Sequence, residues 1–431
     1  MPSGVACPGM ALVLEHHVER RLGTQIAVLL RDEPVIALQG PRSVGKSTLL
    51  REIGAARSRE VIDLDDLDVR SAVGRDPALF AAGPSPVLLD EFQHAPLVLD
   101  AIKAELNRDL RPGRFVLTGS TSYDSLPLAA QALTGRLHVV TVWPLSQGEQ
   151  RGVREIFTET LLDNPSRLIT TARSDTTRDD YIHRIVGGGM PIPLSRQPGQ
   201  QRARWFEDYL AGVIERDVVE LSRVRQRDRL PVLLARLAGQ GGQILNIARA
   251  ARDARLETST AETYIRLLEA VFLVYRLPAW GTTLRARAVA KPKIHLVDTG
   301  VAAHMLRLND ANLARHTPSA ITELGHLMES FAVTEILKQI SHLDQTVHTG
   351  HWRTHDGDEV DLVLERADGA VVGVEIKSAS GVRAGDDRGL CKLRDALGET
   401  FLGGVILYTG NHGYRLGDRL YALPLDRLWL A

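Results

Sequence analysis

The chain is short of cysteine, of lysine, of net charge and of long apolar runs, and each shortage excludes something. Two cysteines in 431 residues, Cys7 and Cys391, are too few for a disulfide framework or a cysteine-rich zinc site. No stretch approaches the roughly 20 apolar residues that a membrane-spanning helix needs. The opening "MPSGVACPGMALVLEHHVERR" has a short apolar patch followed by charges, not the basic leader and longer apolar core of a signal peptide, so a cytoplasmic protein is expected. With 52 basic and 53 acidic residues the net charge is -1, which gives no global pull toward nucleic acid or membrane; any basic site has to be local. Lysine occurs only at positions 46, 103, 291, 293, 338, 377 and 392. Where one falls inside a motif-like stretch, it is informative. Internal repeats and low-complexity tracts are absent.

What is present is the length and patterning of two to four domains. Residues 13 to 30 have helical periodicity. "PVIALQG" then reads as a buried strand entering a glycine turn, "KSTLLREIGAA" as a helix, and "EVIDLDD", "SPVLLDEF" and "GRFVLTGS" as further apolar runs ending in polar or acidic residues. Strands alternating with helices predict a parallel sheet with its ligand at the strand ends. The first domain is expected at residues 1–150, closed by "VVTVWPLSQGE", with a mostly helical region at 151–285 and a mixed α/β domain at 286–431.

"GPRSVGKS" matches the phosphate-loop pattern between a predicted strand and a predicted helix. Gly40, Pro41, Arg42, Ser43, Val44 and Gly45 would curl backbone N–H groups around phosphates, Lys46 would reach the terminal phosphates of ATP, and Ser47 would ligate Mg2+ with Thr48 beside it. "VLLDEF" supplies the other half: Asp90 would hold Mg2+, and Glu91 would polarise the attacking water. Thr118 and Ser120, at the end of another strand, could sense the terminal phosphate. Arg136 in "LTGR" could contact phosphate from the same or a neighbouring subunit of a homo-oligomer.

The order "GPRSVGKSTLL", "DLDD", "LLDEFQHAP", "FVLTGSTS", "LTGR", "WPLSQGE", "GGGMP", "ERDV", "LNIARAAR", "KPKIHLVDTG" resembles the bacterial AAA-type ATPases that carry a nuclease-like C-terminal domain of unassigned function. Phe92 and His94 depart mildly from the expected aliphatic and basic residues after the acidic pair. The resemblance spans nearly the whole chain. It implies an α/β fold class: a P-loop NTPase parallel sheet, a central helical or winged-helix region, and a C-terminal restriction-endonuclease-like domain.

A helix-turn-helix would put Ser259 to Ala270 in a DNA groove with Thr260, Thr263 and Arg266 outward, although Glu257, Glu262 and Glu269 repel phosphate. Arg223, Arg225, Arg227 and Arg229 alternate in "SRVRQRDR" as a phosphate-binding stripe, diluted by Asp228 and Glu220. Nucleic acid is therefore an expected partner.

"GDEVDLVLERADGAVVGVEIKSAS" reads as a hairpin turning at Asp368. Alternation would put Glu359, Asp361 and Val363 on one face and Val360, Leu362 and Leu364 on the other. Antiparallel register would set Asp361 opposite Glu375 and Glu359 opposite Lys377. Opposed carboxylates need a cation between them, either Lys377 or a metal. The set resembles the nuclease motif in which an Asp precedes Glu-x-Lys on the next strand, and Glu329 matches the upstream helical acid of that family. This implies Mg2+ on Glu329, Asp361 and Glu375, with Lys377 assisting the water; the expectation is a metal site that binds and could cleave nucleic acid. The other reading is a nucleotide-operated switch or scaffold whose C-terminal domain makes protein contacts.

Overall fold

The structure is a computed structural model that describes residues 14, 17–123, 133–218, 221, 224–281, 283, 291–315 and 317–430. Its strands are β1 (Val35–Gln39), β2 (Val61–Asp63), β3 (Val87–Asp90), β4 (Phe115–Gly119), β5 (Leu137–Thr141), β6 (Val274–Leu277), β7 (Lys293–Leu296), β8 (Val347–Arg353), β9 (Glu359–Arg366), β10 (Val371–Lys377), β11 (Phe401–Tyr408), β12 (Tyr414–Gly417) and β13 (Leu420–Pro424). Six helices matter here: α1 (Lys46–Ala55), α2 (Leu230–Ala238), α3 (Ile247–Asp253), α4 (Thr258–Ala270), α5 (Pro318–Ile340) and α6 (Arg388–Leu397).

Strands β1 to β5 form a parallel sheet in the order β2-β3-β4-β1-β5. The interior strands β1, β3 and β4 are almost wholly buried, as a sheet covered on both faces requires. Strand β4 lies between β1 and β3, so the chain leaving β4 falls between the phosphate loop and the acidic pair. This is the α/β sheet the alternating pattern predicts. The helix expected over residues 13–30 is observed at Leu22–Leu29, and residues 13, 15 and 16 lie outside the described residues.

The central region contains α2, α3, α4 and then the antiparallel pair β6–β7. β7, which follows the expected boundary at 285/286, completes a hairpin with β6 of the central region. Backbone bridges from Gly241 to Ile294 and from Ile244 to Lys293 tie it there as well.

The C-terminal sheet has the order β12-β13-β11-β10-β9-β8. The β9–β10 ladder runs from Val371↔Glu365 to Val374↔Leu362, the register expected from the turn. It stops one pair before Asp361 and Glu375. There the N–H of Ile376 donates to Asp361 Oδ2 at 2.9 Å instead. The face assignment needs correcting. Between Gly350↔Val363 and Trp352↔Val360, β9 advances one residue more than β8, a bulge at Asp361 and Leu362. Val360 and Val363 consequently share the core of Leu390 and Leu393 on α6, while Leu362 and Leu364 share that of Leu327 and Phe331 on α5. The bulge turns Asp361 out of simple alternation.

One continuous apolar core runs from Ile36 and Leu38 in β1 through Leu233 and Ile265 in the central helices to Phe331 and Trp429. Trp429 packs edge-on against Tyr181 and Phe331, with ring centroids 6.1 and 6.0 Å apart. Among the described residues no helix is long and apolar enough to cross a membrane.

Candidate nucleotide site and C-terminal acidic cluster

The phosphate loop takes its shape from positive φ angles at Ser43 (63°) and Gly45 (97°), which turn successive N–H groups toward one centre. Gly40 is required for a different reason. A Cβ there would lie 2.3 Å from the carbonyl oxygen of Val142. No side chain caps the start of α1, which leaves its N-terminal partial charge for an anion. Lys46 is buried, and its Nζ donates to the carbonyls of Gly40 (2.9 Å) and Pro41 (2.8 Å). Burial pushes this ammonium down to about 8, with the Glu91 carboxylate opposing the shift. Val44 packs inside, Ser47 is half-buried and Thr48 is exposed.

The acidic pair is held by hydroxyls. Asp90 accepts from Thr118 Oγ1 and from the Ser47 hydroxyl, and burial raises its pKa. Thr118 Oγ1 also accepts the Glu91 N–H at 3.1 Å. Thr118 is fully buried and donates to Asp90, so it positions the acidic pair. Glu91 has φ 51°, a left-handed turn that swings its carboxylate toward the loop. Burial works against its ionisation, but Lys46, Gln93, Arg42 and Ser120 together hold it below its ordinary value. Gln93 Nε2 donates to Glu91 and, at 3.2 Å, to Ser120 Oγ. Ser120 thus faces Glu91 from the end of β4.

Arg136 lies elsewhere. It precedes β5, whose first residue pairs with Val35, the first residue of β1. The phosphate loop follows the other end of β1, about 13 Å further along the strand. Arg136 Nη1 donates instead to Asn107 Oδ1 at 2.7 Å. The length of β1 therefore lies between Arg136 and the phosphate loop.

Two side chains that sequence reasoning missed, Asp217 and Arg20, complete the site. Arg42 Nε bonds Asp217 Oδ2 at 2.6 Å, joining the loop to a π-helical turn (Val213–Val218) of the central region. Arg20, almost fully buried, donates to Val44 O (2.7 Å), Trp143 O (2.7 Å) and Glu149 Oε1 (3.1 Å), bracing the loop from behind. Glu149 is itself fixed by a capping box with Ser146 in "WPLSQGE". The only advance signal was the presence of "ERDV" and "WPLSQGE" among the quoted motifs.

In the C-terminal cluster the cation on Asp361 is a lysine that the hairpin reading did not consider. Lys293 Nζ, from β7, lies 2.7 Å from Asp361 Oδ1 and 2.7 Å from Glu329 Oε1. Its two carboxylates raise its pKa against the opposing effect of burial. Lys377 pairs with Glu375 Oε1 at 2.7 Å. Burial, then Asp361, push Glu375 up to about 8, and Glu329 is likewise raised, chiefly by burial. The implied Mg2+ does not fit this arrangement. A hard divalent ion needs several oxygens at once, yet both oxygens of Asp361 and Oε1 of Glu329 are already engaged. Glu375 Oε2 is buried without a hydrogen-bond partner among the described residues, but it is a single oxygen. No group of three or more His, Cys, Asp or Glu side chains among those residues is placed to hold a metal. The structure brings Glu329 and Asp361 together on Lys293, and Glu375 onto Lys377.

The loop, the parallel sheet and the acidic pair at the end of β3 define a P-loop nucleotide-binding domain. Residues 32–150 match the family model described as "AAA domain". Residues 178–312 and 324–428 match two models described as domains of unknown function, DUF8612 and DUF4143. Over 419 residues the chain is 28% identical to "Uncharacterized protein Rv2008c" of Mycobacterium tuberculosis and to "Uncharacterized protein Mb2031c" of Mycobacterium bovis, covering 95% of this chain and 85% of each relative. Similar solved structures include the Walker-type ATPase PABY2304 of Pyrococcus abyssi (15% identity, 69% of this chain, 98% of that one, TM-score 0.37). Another is the RuvB Holliday junction branch migration motor of Thermotoga maritima (15% identity, 62% of this chain, 92% of that one, TM-score 0.28).

Proposed function

We propose that the chain binds and hydrolyses ATP and works as a nucleotide-operated switch, with the central region reading the state of the phosphate loop. The observation that carries this reading is the Arg42–Asp217 pair. Arg42 belongs to the loop that would surround the phosphates, so a bound terminal phosphate competes with the Asp217 carboxylate for the same guanidinium. Occupied and empty sites then differ in how firmly the turn at Val213–Val218 is held.

In hydrolysis Lys46 would orient the terminal phosphate and Glu91 would take a proton from the attacking water, with Gln93 and Ser120 fixing its carboxylate. The adjacent Ser47 hydroxyl and Asp90 carboxylate are oxygen donors that suit Mg2+, which when bound neutralises phosphate charge.

The test is limited proteolysis of the central region with ATP, with ADP and without nucleotide, beside a nucleotide titration. Asp217→Asn should keep binding and lose the nucleotide-dependent difference in cleavage. A variant whose cleavage still follows the nucleotide as wild type does would end this reading.

A contact with nucleic acid is supported by Arg225 and Arg227, which are exposed at the foot of the central region; Arg223 lies outside the described residues. The order α2, α3, α4, β6, β7 supports a winged-helix reading of the central region. Thr263 and Arg266 face outward from α4, with Thr260 half-exposed and Glu257 exposed. Glu262 and Glu269 are turned onto Arg276 of β6, at 3.0 Å for Glu262 and 2.7 Å for Glu269, which lessens their repulsion of phosphate. Cleavage lacks such support, because the carboxylates that would carry it are engaged by lysine.

A further inference from the structure

We propose that the acidic cluster of the C-terminal domain is a lysine clasp: Lys293 of the central hairpin is the resident cation of Asp361 and Glu329, and the cluster locks two regions together instead of binding a divalent ion. Three elements meet there, β7 from the central region, α5, and β9 of the C-terminal sheet. The ammonium of Lys293 is 2.7 Å from a carboxylate on each of the other two.

Four observations support a built joint. Lys293 is 1% exposed, and a lysine so deeply buried has to be paired. Its backbone is pinned on both sides, to β6 by Leu277 and to the central helices by Ile244, so it cannot swing away without opening the hairpin. The β9 bulge falls at Asp361 and aims that carboxylate at the lysine while its second oxygen takes the Ile376 N–H. Glu329 packs against Gly242, where a Cβ would lie 2.8 Å from Glu329 Oε2, so a larger residue there would push the carboxylate off the lysine.

The cluster can be tested without nucleotide, so its outcome does not depend on the ATPase reading. Mn2+ is titrated calorimetrically into full-length wild type and Asp361→Asn, both nucleotide-free, and the melting temperatures of Lys293→Met, Asp361→Asn and the double variant are compared. The clasp predicts identical Mn2+ isotherms for wild type and Asp361→Asn. Each single variant should melt roughly 5 °C lower or more, because it strands a buried charge. The double variant should lose less than the sum of the two. One equivalent of Mn2+ bound by wild type and lost in Asp361→Asn would overturn the proposal, as would strictly additive losses. If Lys293→Met does not fold, Glu329→Gln takes its place in the cycle with Asp361→Asn, and the Mn2+ comparison stands by itself.

Discussion

Arg42 and Asp217 are 175 positions apart in the chain and 2.6 Å apart in space, one in the phosphate loop and the other in the turn that ends the helix Gln200–Gly212. Asp217 opposes the burial that would otherwise lower the Arg42 pKa, and the net shift is upward. A nucleotide therefore enters a site whose arginine already has an anionic partner. Replacing that partner should strengthen ATP binding: Asp217→Asn is expected to lower the Kd for ATP by about tenfold, from loss of a charge-assisted bond in the unliganded state. Fluorescence titration with a labelled nucleotide would show it, and an unchanged or weaker Kd would mean that the pair does not compete with phosphate.

Lys46→Ala should abolish measurable nucleotide binding, whereas Glu91→Gln should bind normally and turn over at least about a hundredfold more slowly. The difference follows from their positions, Lys46 inside the loop and Glu91 facing the water. Nucleotide titration and phosphate release separate the two. Equal binding by wild type and Lys46→Ala would remove the loop assignment.

Arg20→Met should weaken nucleotide binding from behind the loop, since it unlocks the Val44 carbonyl and removes the guanidinium that pairs with buried Glu149. A cost of about 3 to 5 kcal/mol in unfolding free energy is expected. Arg20→Lys should recover little of it, because one ammonium cannot reproduce a guanidinium fork spread over three acceptors. Urea denaturation of the three proteins checks the ranking.

Acid should destabilise the fold through His342, which burial holds neutral with a pKa lowered to about 4. Glu149 pulls that value up and Arg20 and Arg21 push it down, with Glu155 and Asp344 lining the same cleft. The folded pKa is below the unfolded one, so the unfolded chain takes the proton first. The contribution is present above about pH 6.5 and is lost as pH falls toward 4. His342→Gln should therefore show a shallower loss of stability than wild type between pH 6.5 and 4.5. Equal slopes in urea titrations would contradict this.

If the central region touches nucleic acid, Arg225→Ala with Arg227→Ala should reduce the slope of log affinity against log salt by about one for each phosphate contact removed. Anisotropy of a labelled duplex at several salt concentrations measures that slope. An unchanged slope places the contact elsewhere.

The local patterns were legible in sequence. The glycines, lysine and hydroxyls of the phosphate loop lie within nine residues, Asp90 and Glu91 are adjacent, and the hairpin register follows from its turn. What was not legible depends on distant pairs. Lys293 meets Asp361 across 68 positions, Arg20 meets Glu149 across 129, and no local periodicity encodes either contact. The bulge at Asp361 was hidden for another reason: it adds one residue to β9 relative to β8, the strand just before it, and the hairpin pattern of β9 with β10 carries no sign of that pairing. Lysine scarcity was the usable clue, for Lys293 lies in "KPKIHLVDTG", one of the quoted motifs. The same stretch holds Asp298, whose Oδ2 accepts the N–H of Gly189 at 2.6 Å and so explains "GGGMP" as a seam between regions.

Helix α5 grips at two heights. Glu335 accepts the Gln147 N–H at 2.8 Å and Lys338 Nζ donates to Leu145 O at 3.1 Å, both beside the capping box that supports the phosphate loop. Glu329, on the same helix and about 9 Å along its axis, ends at the clasp. A rod fastened at two points along its length behaves as a strut: it carries load in compression and tension but does not let its two anchors drift independently. Small separations between the nucleotide domain and the C-terminal sheet are thereby forbidden, and opening has to break both fastenings together. Force applied to the two ends of the molecule should produce one abrupt rupture that includes both regions, not a gradual extension.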